Sequence, residues 1–267
     1  MLEIFIESGV SMNILAIGDV VASSGCRFLR EKLPSLKKAE KIDLVIANGE
    51  NSADGNGITP TSADHMLCSG VDIITLGNHT FRRKDICDIL DTSECIIRPA
   101  NYPKNTTPGK RYVIYDMGRI QVAVVNLLGC AYMEPLDDPF AVIDEILKEI
   151  HTKIILLDFH AEATAEKLAM AYHLDGKISA MFGTHTHVQT ADERIFPKGM
   201  GYITDVGMTG PYESVLGIKP EIAVKKFREK LPVKFETAEG RCKLDCIKFT
   251  VDDKSGKTTD IKRMEIL

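Results

Sequence analysis

Five short clusters in this 267-residue chain place metal-binding or proton-transferring side chains directly after apolar, β-branched runs. They are Gly18-Asp19, Asn48-Gly49-Glu50-Asn51, Gly77-Asn78-His79, Asp158-Phe159-His160 and Gly183-Thr184-His185-Thr186-His187. Carboxylate oxygen, amide oxygen and imidazole nitrogen are mixed among them and no cysteine takes part, a donor set suited to iron, manganese or zinc rather than to calcium alone. Asp19, Glu50, Asn51, Asn78, His160, His185 and His187 make seven candidate ligands. That is more than one catalytic zinc uses while keeping a position open, so the count points to a binuclear centre with a shared carboxylate, and to hydrolysis.

Each residue also has a plainer reading. Asp19 after a strand could cap a helix. Asn48-Gly49 and Gly77-Asn78 could be turns, and His160 a hydrogen-bonded core histidine. His185 and His187 resist such a reading, because alternate residues of an extended loop send both rings to one side. All five clusters would have to be coincidental together. The other histidines are left outside the site: His65 and His173 fall in expected helices and His151 at a helix end, where imidazoles serve helix faces and C-terminal caps.

Positioning the clusters calls for strands that end at them. Segments 13–17, 43–47, 71–76, 153–157 and 178–182 read as buried strands, which puts the polar residues at strand carboxyl ends, where α/β sheets bind ligands. Helices are expected over 27–33, 59–67, 83–90, 138–150, 163–172 and 220–229. Between them, 111–116 and 120–126 form an antiparallel hairpin, which implies mixed sheets, and 242–251 with 257–266 form a closing hairpin.

A composition of 44% hydrophobic and 27% charged residues supports a sizeable core, and the absence of repeats or linkers favours one domain over 12–267. With a net charge of -5 and no Lys/Arg block, neither stable nucleic-acid binding nor membrane association is expected, and the substrate should be small. The seven cysteines are odd in number and scattered, with no secretory signal, so reduced thiols in a cytoplasmic protein are expected. Cys242 and Cys246 lie in an alternating strand pattern and read as packing residues. Residues 1–11 are too short and too acidic for a signal or a membrane span, and read as an N-terminal extension of unknown role.

At the level of motifs the chain resembles the YmdB-type bacterial metallophosphoesterases of the calcineurin-like superfamily. The likeness runs from Met12 nearly to the C-terminus. It rests on Gly18-Asp19-Val20-Val21, Asn48-Gly49-Glu50-Asn51, Gly77-Asn78-His79, Asp158-Phe159-His160-Ala161-Glu162, the run from Gly183 to Asp192, and Thr204-Asp205-Val206-Gly207-Met208. Asn-Gly-Glu-Asn and Asp-Phe-His-Ala-Glu in this order separate the subgroup from the wider superfamily. Ala22 stands where the family usually has glycine, Cys26 lies between the expected Gly25 and Arg27, and Met1 to Ser11 have no family counterpart.

The resemblance implies a four-layer α/β/β/α sandwich of two mixed sheets. It implies that Asp19, Glu50, Asn51 and His187 hold one metal and that Glu50, Asn78, His160 and His185 hold a second, with His79 left unligated as the catalytic acid. Two transition-metal ions would be bound, iron first, with manganese or zinc as alternatives. The implied activity is hydrolysis of 2',3'-cyclic nucleotides to 3'-nucleotides by a hydroxide that bridges the metals, in a homo-oligomer. Two other readings are a broad-specificity phosphoesterase and a regulatory protein whose metal site serves signalling or stability.

Overall fold

The computed structural model describes residues 11–267. The expected extension over 1–11 therefore lies outside the described residues, except for Ser11, which opens the first strand and pairs with Asp252.

Two mixed sheets face each other. Over the described residues the first holds β1 (Ser11–Ile17), β2 (Asp19–Val20), β3 (Leu44–Asn48), β4 (Ile73–Thr75), β11 (Met208–Pro211), β12 (Cys242–Asp252) and β13 (Thr258–Ile266). Its order is β2-β11-β12-β1-β3-β4, with β13 against β12. The second holds β5 (Tyr112–Asp116), β6 (Gln121–Leu128), β7 (Ile154–His160), β8 (Ala180–Thr184), β9 (Arg194–Ile195) and β10 (Gly201–Ile203), in the order β5-β6-β7-β8-β10-β9. Strands β1, β3 and β4 run parallel in the first sheet, as do β6, β7, β8 and β10 in the second. Buried on both faces, β3 and β7 read as unbroken apolar runs rather than alternating ones.

Three apolar layers hold the sandwich. Between the sheets, Ile14, Leu44 and Ile247 of the first meet Val124, Leu156 and Phe182 of the second. Outside the first sheet, Leu29 and Leu33 of α1 (Ala22–Glu40) and Met66 of α2 (Pro60–Cys68) pack on Leu15, Val45 and Ile74. Outside the second, Ile143 and Ile146 of α4 (Pro139–Glu149) and Met170 and Leu174 of α5 (Thr164–Leu174) pack on Val125 and Leu157. This is the four-layer arrangement that the motifs imply.

The expected helices and the closing hairpin are present, with two differences. The first helix runs to Glu40 through an internal Pro34, past the expected end at Leu33. Its buried Leu33 and Leu36 straddle that proline, so packing on the sheet carries the helix across the lost hydrogen bond. Segment 83–90 divides into a 3-10 turn, Lys84–Ile86, and the single-turn α3, Cys87–Leu90. Cys242 and Cys246 are buried in β12, and all seven cysteines are free thiols. Among the described residues no helix is long and apolar enough to cross a membrane.

Candidate metal centre

Strand ends build one wall of the site. Asn48 closes β3, His160 closes β7, Thr184 closes β8, and Asp19 opens β2 directly after β1. Register places these ends side by side, with His160 opposite Thr184 and Asn48 opposite Thr75. Loops leaving the same edge carry Glu50, Asn51, Asn78, His79, His185 and His187.

The seven candidate ligands come together. His160 Nε2 lies 3.2 Å from Glu50 Oε1, 3.0 Å from Asn78 Oδ1 and 3.0 Å from His185 Nδ1. Glu50, His160 and His185 each offer a donor atom within 4.8 Å of the others. On the other side, Asn51 Nδ2 lies 3.3 Å from Asp19 Oδ1, 3.1 Å from Glu50 Oε1 and 3.3 Å from His187 Nε2, which is itself 3.5 Å from Asp19 Oδ1. Glu50 thus touches both groups. His79 leans on the same carboxylate, its N–H donating to Glu50 Oε2 at 2.8 Å while Nδ1 stands 2.9 Å from Asn51 Oδ1.

The loop geometry departs from expectation at one point. His185 and His187 have φ of 102° and 61°, so the segment is not extended and the two rings do not share a side. His185 turns to His160 and His187 to Asp19. Such angles are costly for non-glycine residues and persist only when the surroundings enforce them. Here the intervening Thr186 N–H donates to the buried Asp205 Oδ2 at 3.1 Å, and Lys167 Nζ binds that oxygen at 2.8 Å and Thr184 O at 2.9 Å.

Each histidine has its second nitrogen held. His160 Nδ1 is 2.9 Å from Thr184 Oγ1, which donates to Asp158 Oδ1 at 2.7 Å, and Asp158 also accepts from Thr75 and Asn48. His187 Nδ1 donates to Leu216 O at 3.1 Å, and His185 Nε2 lies 3.1 Å from Glu162 Oε2. This second ring of contacts is what fixes a metal-binding imidazole's tautomer and orientation. The sequence motifs contain Asp158, Thr184 and Glu162 without giving them a task, and nothing in the sequence marks the carbonyl of Leu216.

Electrostatics favour a cation here. Burial works to raise the Asp19 carboxyl, but the His187 ring outweighs it and holds the group below the usual carboxylate range. Burial likewise opposes ionisation of Glu50, and His160 overrides it. His160 itself, disfavoured as a cation by burial, is lifted to about 9 by Glu50, and His187 is raised against burial by Asp19. Burial and the neighbouring His160 push His185 down to about 4. Asp158 is pushed up to about 6 by burial. Two buried carboxylates therefore draw positive charge inward, and a metal ion would supply it in place of the imidazole protons. The space fits as well: a Cβ on Gly77 would stand 2.3 Å from Glu50 Oε2 and 2.4 Å from His160 Nε2, so only glycine lets the loop pass this close.

Comparison with known proteins agrees with this geometry. The model of the YmdB-like protein family matches residues 15–264. A Bacillus subtilis (strain 168) protein described as a 2',3'-cyclic-nucleotide 2'-phosphodiesterase is 48% identical over 257 residues, covering 96% of this chain and 97% of its own. A solved structure of a Thermus thermophilus protein, described as hypothetical, superposes with a TM-score of 0.90 at 40% identity, over 95% of this chain and 98% of that one. A structure described as a novel phosphatase from Mycoplasma pneumoniae gives a TM-score of 0.92 at 33% identity, over 97% and 94%. With its two-sheet sandwich and its motif loops converging on one edge, the chain belongs to the YmdB-like protein family.

Proposed function

We propose that this protein is a two-metal phosphodiesterase that opens 2',3'-cyclic nucleotides to 3'-nucleotides. The observation that carries the reading is the gathering of seven oxygen- and nitrogen-bearing residues into two groups that share Glu50, which meets Asn51 on one side and His160 on the other. The Bacillus subtilis relative supplies the substrate class. In this reading Asp19, Glu50, Asn51 and His187 hold one ion, and Glu50, Asn78, His160 and His185 hold the other. When bound, the ions supply Lewis-acid polarisation of the phosphoryl oxygens and a nucleophile at neutral pH.

His79 supplies the proton for the leaving ribose oxygen. Its backbone N–H and Nδ1 engage Glu50 and Asn51, which leaves Nε2 as the nitrogen for substrate. The Asn51 amide decides the proton's place. With Oδ1 toward His79, Nδ1 carries a proton and the acid is the imidazolium; with the amide turned over to ligate through Oδ1, Nδ2 faces Nδ1 and the neutral ring keeps its proton on Nε2. Burial draws its pKa below the ordinary imidazole value against the pull of Glu50, so the imidazolium gives up its proton readily and leaves a neutral ring.

The mixed donor set, free of sulfur, supports iron before manganese or zinc. Free thiols throughout support a cytoplasmic setting. One domain from residue 12 and a homo-oligomer complete the reading; Val224 and Phe227 of α6 (Pro220–Glu229), half to two-thirds exposed, support the oligomer, which sedimentation would test. The relative called a phosphatase favours a broad phosphoesterase as the second reading. The deciding experiment incubates metal-reconstituted protein with 2',3'-cyclic AMP and identifies the product by phosphorus NMR. A dominant 3'-AMP supports the reading, and intact substrate before folded, metal-loaded protein refutes it.

A further inference from the structure

We infer that Tyr132 forms a nucleobase platform at the rim of the metal centre, an aromatic face on which the base of the substrate stacks. The inference rests on the nucleotide reading above for the class of its ligand, and it adds a binding subsite for the base.

Position comes first. Strands β6 and β7 run parallel with Leu128 opposite His160, and the next residue, Gly129, donates its N–H to His160 O at 3.0 Å. The loop that follows β6 therefore leaves the sheet beside a candidate ligand. Tyr132 lies three residues on, and three residues of chain reach at most about 11 Å. One neighbouring side chain feels the charge of both this loop and the cluster. Tyr102, packed edge-on against Phe81 at 5.2 Å, is raised to about 12 by burial first, and then by Glu134 of this loop and by Glu50.

Conformation is the second argument. Tyr132 is 93% exposed and has φ of 62°, a left-handed backbone that a bulky residue adopts only under constraint. The constraint is visible. Glu166 of α5 accepts from Cys130 N at 2.8 Å and from Ala131 N at 3.2 Å, and Met133 N returns to Cys130 O at 3.3 Å. A Cβ on Gly129 would stand 2.5 Å from both Ala161 Cβ and Glu166 Oε2, so the loop is pressed onto the start of α5. A large aromatic ring is thus held out in solvent on a pinned turn, where packing gives no reason for it. Base stacking does, because every base offers a π-face and the backbone that carries the ring is already fixed.

Calorimetry on metal-loaded protein with 3'-AMP and with ribose 3-phosphate separates base from phosphate. Tyr132→Ala should weaken 3'-AMP by roughly 5- to 100-fold, leave ribose 3-phosphate unchanged, and be rescued by Tyr132→Phe. In turnover, KM for 2',3'-cyclic AMP should rise by the same factor with kcat kept. Equal weakening of both ligands, or unchanged 3'-AMP binding, overturns the platform. A Tyr132→Ala protein that changes its sedimentation also overturns it, by assigning the ring to a subunit contact. Failure of the nucleotide reading looks different: wild-type protein then cleaves a simple phosphodiester but leaves 2',3'-cyclic AMP intact.

Discussion

The two walls of the metal centre present their imidazole nitrogens by opposite means. His160 ends a buried strand, and its ring is backed by Thr184 and then by Asp158, a carboxylate sealed between the sheets. His185 and His187 ride a loop at positive φ and are backed by a half-exposed Glu162 and by the carbonyl of Leu216. The strand wall shares its hydrogen bonds with the core, so damage there should cost both fold and metal. The rings of the loop wall are backed by contacts the core does not need, and damage to those contacts should cost metal alone.

Glu50 joins the two walls and should give the largest effect. Glu50→Gln removes the charge that faces both halves, and both ions should be lost with activity falling to background. His79→Gln should keep both ions while lowering the rate by roughly 10²–10⁴-fold, the contribution of a positioned acid. Elemental analysis of the two purified variants separates the cases. A Glu50→Gln protein that retains two ions would remove the bridge, and a metal-free His79→Gln protein would make His79 a ligand.

Asp158→Ala tests the strand wall. It leaves hydroxyls of Thr75 and Thr184 and the amide of Asn48 without their buried acceptor. The expected loss is about 3 kcal/mol of stability, or roughly 5–10 °C in melting temperature, even in metal-free protein. A variant that melts with the wild type but binds metal poorly would place Asp158 with the loop wall.

How much of this is legible in the sequence follows the same division. Asp19, Asn48, His160 and Thr184 can be placed from apolar runs alone, because a buried parallel strand must be apolar until it leaves the core. The turning apart of His185 and His187 cannot, since the positive φ values are imposed by Asp205 and Lys167, which are distant in sequence. Strand β11 escapes the sequence for a related reason: Met208–Pro211 has no alternation and becomes a strand by pairing with β12 and β2. The helix through Pro34 reads short because local propensity takes no account of the sheet beneath it. Family motifs supply the ligand roles; periodicity supplies only their places.

Acidity probes the cluster without mutation. His160, raised to about 9 from an ordinary 6.5, binds its proton more tightly folded than unfolded, so its contribution is complete below pH 6.5 and fades as pH rises toward 9. His187 shifts in the same direction. His185 at about 4 has finished titrating below this window, and the last of Asp158, at about 6, titrates at its lower edge in the same direction as His160. Cys26 and Cys246, both raised by burial, act only above the ordinary thiol range. Chelator-treated protein should therefore lose on the order of 1–2 kcal/mol between pH 6.5 and 8.5. Metal-loaded protein should not, because the ion replaces the proton. Parallel slopes in the two thermal series would show that His160 does not meet the metal.

The smallest effect belongs to Glu162, and it tests the loop wall most directly. His185 faces His160 through Nδ1 at 3.0 Å, so the nitrogen directed at a metal is Nδ1 and the proton belongs on Nε2, where Glu162 accepts it at 3.1 Å. Glu162→Gln keeps an acceptor oxygen but loses the charge that makes the imidazole a better donor to metal. Outer partners of this kind carry roughly 10–100-fold in metal affinity. The carboxylate is 51% exposed, which screens its charge and puts the expectation at the low end, about 10-fold, read by competition with a chelator. Melting of the metal-free protein should be unchanged, since no core group depends on Glu162, and activity at saturating metal should stay near wild type. If Glu162→Gln instead melts early like Asp158→Ala, the two walls are not built differently; if it binds metal as tightly as wild type, the loop holds His185 by its backbone alone.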